Sequence, residues 1–132
     1  MIEPGKRPLS SMTPTIVAKD GKPVWVIGNP GGTTIIATNV QIILNLIDFK
    51  MDIAEAVDAP RIFHGWSPDE TCFQKGGVTT KEARKEYTSM GYKVKDFNWT
   101  FGPAMCIHID RTNKLFYGAA DRRSPDALAA GY

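Results

Sequence analysis

The sequence predicts an α+β domain built from hairpins and about three helices, and three observations carry that prediction. β-Branched runs at residues 15–19 and 23–27 flank Asp20-Gly21, a dipeptide that accepts the positive φ angles of a two-residue hairpin turn. Residues 35–47 carry apolar side chains at helical spacing. Residues 104–110 alternate instead, with Met105, Ile107 and Ile109 on one face and Cys106, His108 and Asp110 on the other.

Each element has a local reason. Residues 1–14 hold three prolines before any periodic pattern and read as extended or loop. In the first hairpin a two-residue loop sets Lys19 against Lys22 and Val17 against Val24, and successive apolar residues predict strands buried on both faces. Gly28-Asn29-Pro30-Gly31-Gly32 breaks the strand, and Thr33 or Thr34 can cap the helix that follows. That helix has Ile35, Ile36, Val40, Ile43, Leu44 and Ile47 at helical spacing and Ile42 and Leu46 on the other side, which predicts cover on more than one face. Asp52 caps a short helix to Asp58, ended by Pro60. Residues 61–66 read as extended, 67–70 as a turn and 71–75 as a short strand ended by Gly76-Gly77. A third helix spans about 80–90, with Thr79 and Glu82 as a capping box and Gly91 past its end. Strands at 92–99, 104–110 and 115–117 follow, the last two joined through Thr112-Asn113, and a polar then small-residue tail closes the chain.

At 132 residues the chain has the length of about one domain, and 42% hydrophobic with 23% charged residues excludes whole-chain disorder and collagen-like repeats. Sixteen basic against fourteen acidic residues leave a net charge of +2, with no electrostatic footprint for nucleic acid or an anionic membrane. The longest apolar stretch, 35–49, is interrupted by Thr38, Asn39, Gln41, Asn45 and Asp48 and is too short and polar to span a bilayer. The first seven residues carry no apolar run after their charges, so no signal peptide is expected there. Cys72 and Cys106 permit one disulfide but no metal spacing.

Few residues point to chemistry by pattern alone. A strand, a Gly-Gly turn and a helix start can aim backbone N–H groups at one point, which suits a phosphate cradle or an oxyanion hole. The phosphate motifs are absent around Gly31 and Gly32, and a plain tight turn is the commoner use of such glycines. Ser10 and Ser11 can hold a carboxylate, though serines in a proline-rich loop more often serve turns. His64 and His108 have no partner at ligand spacing. Asp48, Asp52, Glu55 and Asp58 read as caps and a solvated face before a metal or acid–base site, and Trp66 and Trp99 as core or rim aromatics that could line a pocket. No cofactor or metal is expected.

Longer blocks resemble a known family. Pro4-Gly5-Lys6-Arg7-Pro8-Leu9-Ser10-Ser11-Met12-Thr13-Pro14-Thr15-Ile16, the Pro30-Gly31-Gly32 turn, the block from Asp48 to Arg61, Gly118-Ala119-Ala120-Asp121-Arg122-Arg123 and Ala130-Gly131-Tyr132 are similar, in order, to segments of the γ-glutamyltranspeptidases. The resemblance implies that residues 1–132 are a single C-terminal portion of that family's small subunit, part of an αββα sandwich of the N-terminal-nucleophile hydrolases. It implies transfer or hydrolysis of the γ-glutamyl group of glutathione and related amides, begun by a threonine at the small subunit's N-terminus. Carried over, Ser10 and Ser11 would bind the substrate α-carboxylate, and Gly31 and Gly32 would form the oxyanion hole. The implied partners are the upstream small-subunit segment and the large subunit; family members are commonly periplasmic or extracellular.

The departures set further expectations. The family's Thr-Thr-His run does not occur, since Thr33-Thr34 precedes Ile35 and Thr79-Thr80 precedes Lys81. The nucleophile is therefore expected outside this chain, and the isolated chain is expected to be inactive, with exposed apolar surface and self-association. Thr33 stands where serine is common, Tyr92 where histidine often follows Gly91, and Arg122 inside the usual Asp-Pro-Arg. The alternative is a non-catalytic binding or assembly module that keeps the fold.

Overall fold

The computed structural model describes residues 2–76, 80–98 and 101–131. Strands β1 (Thr15–Lys19) and β2 (Lys22–Gly28) form the first hairpin, with Asp20 and Gly21 both at positive φ as its turn requires. A 3₁₀ turn, Gly32–Thr34, leads into α1 (Ile35–Ile47), and α2 (Ile53–Asp58) follows. Then come β3 (Ile62–Gly65), β4 (Glu70–Gln74), α3 (Lys81–Ser89), β5 (Val94–Phe97), β6 (Met105–Asp110) and β7 (Leu115–Ala120). Strands β1, β2, β6 and β7 make a four-stranded antiparallel sheet in the order β1-β2-β6-β7. Strands β3, β4 and β5 make a smaller sheet, whose β4–β5 pair is parallel because α3 returns the chain to the same end.

The main core lies between one face of the larger sheet and helices α1 and α2. Ile27, Cys106 and Ala119 from adjacent strands meet Ile42, Leu46, Ile53, Ala56 and Val57 from the helices. Alternation then puts Ile16, Met105, Ile107 and Phe116 on the opposite face, where all four are exposed. The tail from Leu128 to Ala130 lies in a hollow of this face, beside Val26, Ile107 and Gly118. The outer face of the first hairpin is thus covered only by this tail beside Val26 and leaves Ile16 exposed, not buried on both faces as its sequence suggests.

Three other expectations are corrected. Lys19 pairs with Lys22 as expected, but Val17 pairs with Trp25, not Val24, because the register shifts between Val17 and Ala18. Ala18 pairs with Pro23, and a bulge beside this pair leaves Val24 as the extra residue. In α1 the core side is Ile35, Thr38, Asn39, Ile42 and Leu46. The stripe Ile36, Val40, Leu44 and Ile47 faces outward at 41–51% exposure, so four of the six apolar residues at helical spacing are uncovered in this chain. Neither Thr33 nor Thr34 caps α1 with its side chain; the Thr34 hydroxyl instead donates back to the Gly31 carbonyl at 3.0 Å.

The cap of α2 follows the sequence, and that of α3 is Thr80, one residue after the expected Thr79, so Glu82 is not its N3 partner. Asp52 accepts from the Glu55 N–H at 2.8 Å while the Glu55 carboxylate accepts from the Asp52 N–H at 3.1 Å, a reciprocal capping box. Thr80 caps α3 by accepting from Ala83 N–H at 3.1 Å, and Gly91 ends it at φ +94°. The expected cap Thr79, like Gly77 and Trp99, lies outside the described residues. Among the described residues no helix is long and apolar enough to cross a membrane.

Candidate active site

The Gly28–Thr34 turn is built by backbone that only glycine adopts readily. Gly31 sits at φ +144° and Gly32 at +57°, bringing their peptide groups to the N-terminal end of α1. The Thr34 N–H donates to the Gly31 carbonyl at 3.1 Å and closes the turn. A side chain at Gly31 would meet the Thr34 hydroxyl at 2.6 Å, whereas one at Gly32 would meet nothing within 4 Å. The turn is packed from behind. A Cβ on Gly102 would fall 1.4 Å from the Pro30 carbonyl oxygen, so residue 102 must be glycine for the two backbones to touch.

Gly102 is in turn held by the most buried charges of the chain. The Arg61 guanidinium donates to the Gly102 carbonyl at 2.9 Å, to the Val57 carbonyl at 2.8 Å and to the Asp121 carboxylate at 2.7 Å. Asp121 also accepts from Ala104 N–H at 3.0 Å and from Arg123 N–H at 2.9 Å. Burial pushes the Asp121 pKa up, but those two N–H groups and the Arg61 charge outweigh it and hold the carboxyl below its usual range. Arg123 reaches the Val57, Asp58 and Ala59 carbonyls and the Gln74 side chain, pinning the C-terminal segment across the end of α2.

In front of the turn lies a cleft of about 680 Å³, walled by Gly31–Thr34 on one side and by Phe63, Trp66, Pro68, Glu70, Cys72 and Phe97 on the other. Trp66 is on this wall and 93% exposed, which agrees with its reading as a rim aromatic. Burial, with the nearby Glu70 charge, raises the Cys72 thiol above its ordinary pKa. Cys106 belongs to the main core, where burial raises its thiol to about 11, and both cysteines are free.

Ser10 and Ser11 do not line this cleft. Ser10 is exposed, and its hydroxyl accepts from Met12 N–H at 3.2 Å, the turn use that serine commonly has. Their segment is nevertheless tied to the glycine turn. Asn39, 4% exposed on α1, accepts from the Asn29 side chain and donates to the Thr13 carbonyl. The histidines stand apart from this cleft. His64 bonds Thr71 at 3.0 Å and faces Asp69 at 3.3 Å, and His108 packs between Trp25 and Tyr117. Asp52 and Glu55 are occupied in the capping box, and Asp58 pairs with Arg122 at 3.0 Å. No three of the described His, Cys, Asp and Glu side chains converge as a metal site.

The pattern reading missed Arg61, Asp121, Gly102 and Asn39. Arg61 and Asp121 stand inside blocks that carry the family resemblance, but no short motif marks a buried pair sixty residues apart. Asn39 was visible only as a polar interruption of an apolar helix.

An antiparallel sheet with helices on one face and a largely exposed apolar face on the other, with a Pro-Gly-Gly turn feeding its first helix, matches the solved structures that place it in a class: a part of the αββα sandwich of the N-terminal-nucleophile hydrolases. The chain belongs to the γ-glutamyltranspeptidase family, whose model, described as Gamma-glutamyltranspeptidase, matches residues 1–131. It is 45% identical over 131 residues to the glutathione hydrolase proenzyme of Escherichia coli (strain K12), covering 99% of this chain and 22% of that protein. It superposes on the crystal structure of the Helicobacter pylori γ-glutamyltranspeptidase T380A mutant with a TM-score of 0.85 at 42% identity, over 93% of this chain and 66% of that one. Over 73 residues, 55% of its length, it is 51% identical to the putative inactive glutathione hydrolase 4 of Arabidopsis thaliana, of which the match covers 38%. The chain thus spans about a fifth of the length of the bacterial relative.

Proposed function

We propose that this chain supplies the oxyanion hole and part of the carboxylate-binding site of an enzyme that transfers or hydrolyses the γ-glutamyl group of glutathione and related amides. The observation that carries the reading is the Pro30-Gly31-Gly32 turn, held at positive φ at the head of α1 and backed by Gly102. The nucleophile comes from polypeptide outside residues 1–132, because these residues hold no Thr-Thr-His run.

In this reading the threonine hydroxyl attacks the γ-carbonyl carbon, and the carbonyl oxygen takes up negative charge as the tetrahedral intermediate forms. The Gly31 and Gly32 N–H groups meet that charge at the positive end of α1. Collapse expels the amine and leaves an acyl-enzyme, which water or an amine then cleaves. Each such donor is worth about 3 kcal/mol to the transition state. Ser10 and Ser11 hold the α-carboxylate on the acyl side, and the cleft in front of the turn receives the leaving or incoming amine.

The second reading is a binding or assembly module without catalysis. Its support is the lack of the Thr-Thr-His run, together with a plant relative named as putatively inactive. The discriminating experiment is γ-glutamyl-anilide turnover by this chain alone and together with the threonine-bearing polypeptide, with folding checked by circular dichroism. Turnover only in the combined sample supports the enzyme reading; none in either supports the module. Turnover by the chain alone would place a nucleophile within it and overturn both.

A further inference from the structure

We infer that Asn39 is a positioning residue that fixes the distance between the carboxylate-binding serines and the oxyanion turn. The inference rests on the site assignment proposed above. The two proposed half-sites lie about twenty residues apart in sequence, on a segment that precedes β1 and a turn that follows β2. A substrate spans both, so their separation must match the distance from the γ-carbonyl to the α-carboxylate.

One side chain bridges them. Asn39 Oδ1 accepts from Asn29 Nδ2, two residues before Gly31. Its Nδ2 donates to the Thr13 carbonyl, two residues after Ser11, and stands 3.2 Å from Thr15 Oγ1 and 3.3 Å from Thr13 Oγ1. Both ends of the amide are therefore spent, one on each half-site, and Asn39 is 4% exposed on a helix whose neighbours Ile42 and Leu46 are core. The placement is costly on other grounds. Asparagine is a mediocre helix former, and a buried amide without partners is strongly unfavourable. Those costs are offset at this position by partners from two chain segments, Asn29 on one and Thr13 with Thr15 on the other. The adjacent Thr38 is equally buried but has no hydrogen-bond partner for its hydroxyl among the described residues, so burial on this face does not by itself create such a bridge.

The test is a kinetic cycle in the assembled enzyme, residues 1–132 together with the threonine-bearing polypeptide, on γ-glutamyl-anilide. Asn39→Leu removes both bonds; Asn39→Asp keeps an acceptor for Asn29 and removes the donor to Thr13, and remains informative where the leucine variant folds poorly. Each is measured alone and combined with Ser10→Ala plus Ser11→Ala. Misplacement by about an ångström costs on the order of 10²-fold, so the expected loss in kcat/KM is of that size with the serines present, with kcat falling as well as KM rising because the reacting carbonyl is displaced from the turn. With the serines already removed the further loss should be several times smaller. A merely structural role predicts the same loss within about twofold in both backgrounds, and that result overturns the inference. If the serine variant itself leaves KM unchanged, the carboxylate assignment fails, and this inference with it, by a different and separately visible result.

Discussion

Arg61 and Asp121 meet at 2.7 Å with 2% and 0% of their side chains exposed, so a fully buried ion pair lies behind the turn that carries Gly31 and Gly32. Desolvation, and the like charge of Arg123, lower the pKa of the Arg61 guanidinium, and Asp121 offsets them only in part. An arginine that starts so far above neutrality keeps its proton, and the pair is ionised. Such a pair contributes little net stability against an apolar replacement, but losing one partner strands the other. Asp121→Asn would leave Arg61 and Arg123 facing each other with no counter-charge and is expected to cost about 3–5 kcal/mol. Arg61→Met leaves Asp121 with Arg123 and the Ala104 N–H and should cost less. Urea unfolding of the two variants checks the order, and a larger loss for Arg61→Met would contradict it.

The same carboxylate gives stability a pH dependence. In the unfolded chain an aspartate titrates near 3.9, and in the folded chain Asp121 titrates lower. The unfolded state therefore binds more protons in the interval between the two values. The stabilisation is complete above about pH 4 and is lost as pH falls through the folded value. Asp110 adds a term of the same sign, because the Asn113 N–H and side chain hold it low at the β6–β7 turn. Unfolding free energy measured from pH 5 downwards should fall with acidification, and Asp121→Asn should flatten that slope without abolishing it. An unchanged slope in the variant would show that Asp121 is not the group responsible.

Two glycines near the proposed oxyanion hole make opposite demands. At Gly102 the constraint is space, since a methyl group would overlap the Pro30 carbonyl. At Gly32 there is space and the constraint is φ +57°, which costs an alanine only about 1–2 kcal/mol. Gly102→Ala should therefore displace the turn and reduce kcat of the assembled enzyme by about 10²-fold, the loss typical of removing one such donor. Gly32→Ala should retain most of kcat and lower the melting temperature modestly. The reverse order would mean that the turn is not held in place by Gly102.

The sequence disclosed what local chemistry decides and hid what tertiary contact decides. Asp20-Gly21, the Asp52 cap and Gly91 each act within four residues, and each stands where its chemistry puts it. The Val17 register differs because a bulge at Val24 interrupts a ladder that alternation alone treats as regular. The core face of α1 was misread because apolar periodicity marks every covered face, including one this chain leaves bare. At the site, Gly31 and Gly32 were legible as a turn with two possible uses, and only the longer family blocks favoured one of them. Arg61, Asp121 and Gly102 form a relay across forty to sixty residues, and no spacing rule reaches that far.

The bare stripe on α1 makes a prediction of its own. Ile36, Val40, Leu44 and Ile47 lie on one helix face pointing away from the core, and Ile16, Met105, Ile107 and Phe116 leave a second apolar surface on the sheet. Contiguous apolar patches of this kind drive association. The isolated chain should bind a hydrophobic dye and scatter light as more than a monomer, whereas the assembled enzyme should do neither in proportion. Val40→Glu with Leu44→Lys sets an oppositely charged pair one turn apart on the exposed face and touches no core residue. It should reduce dye binding and shift the chain toward monomer, with a stability change within about 0.5 kcal/mol. A wild-type chain that is monodisperse and dye-silent would contradict the prediction outright. A charged variant that loses several kcal/mol would mean that the stripe packs against something within the chain itself.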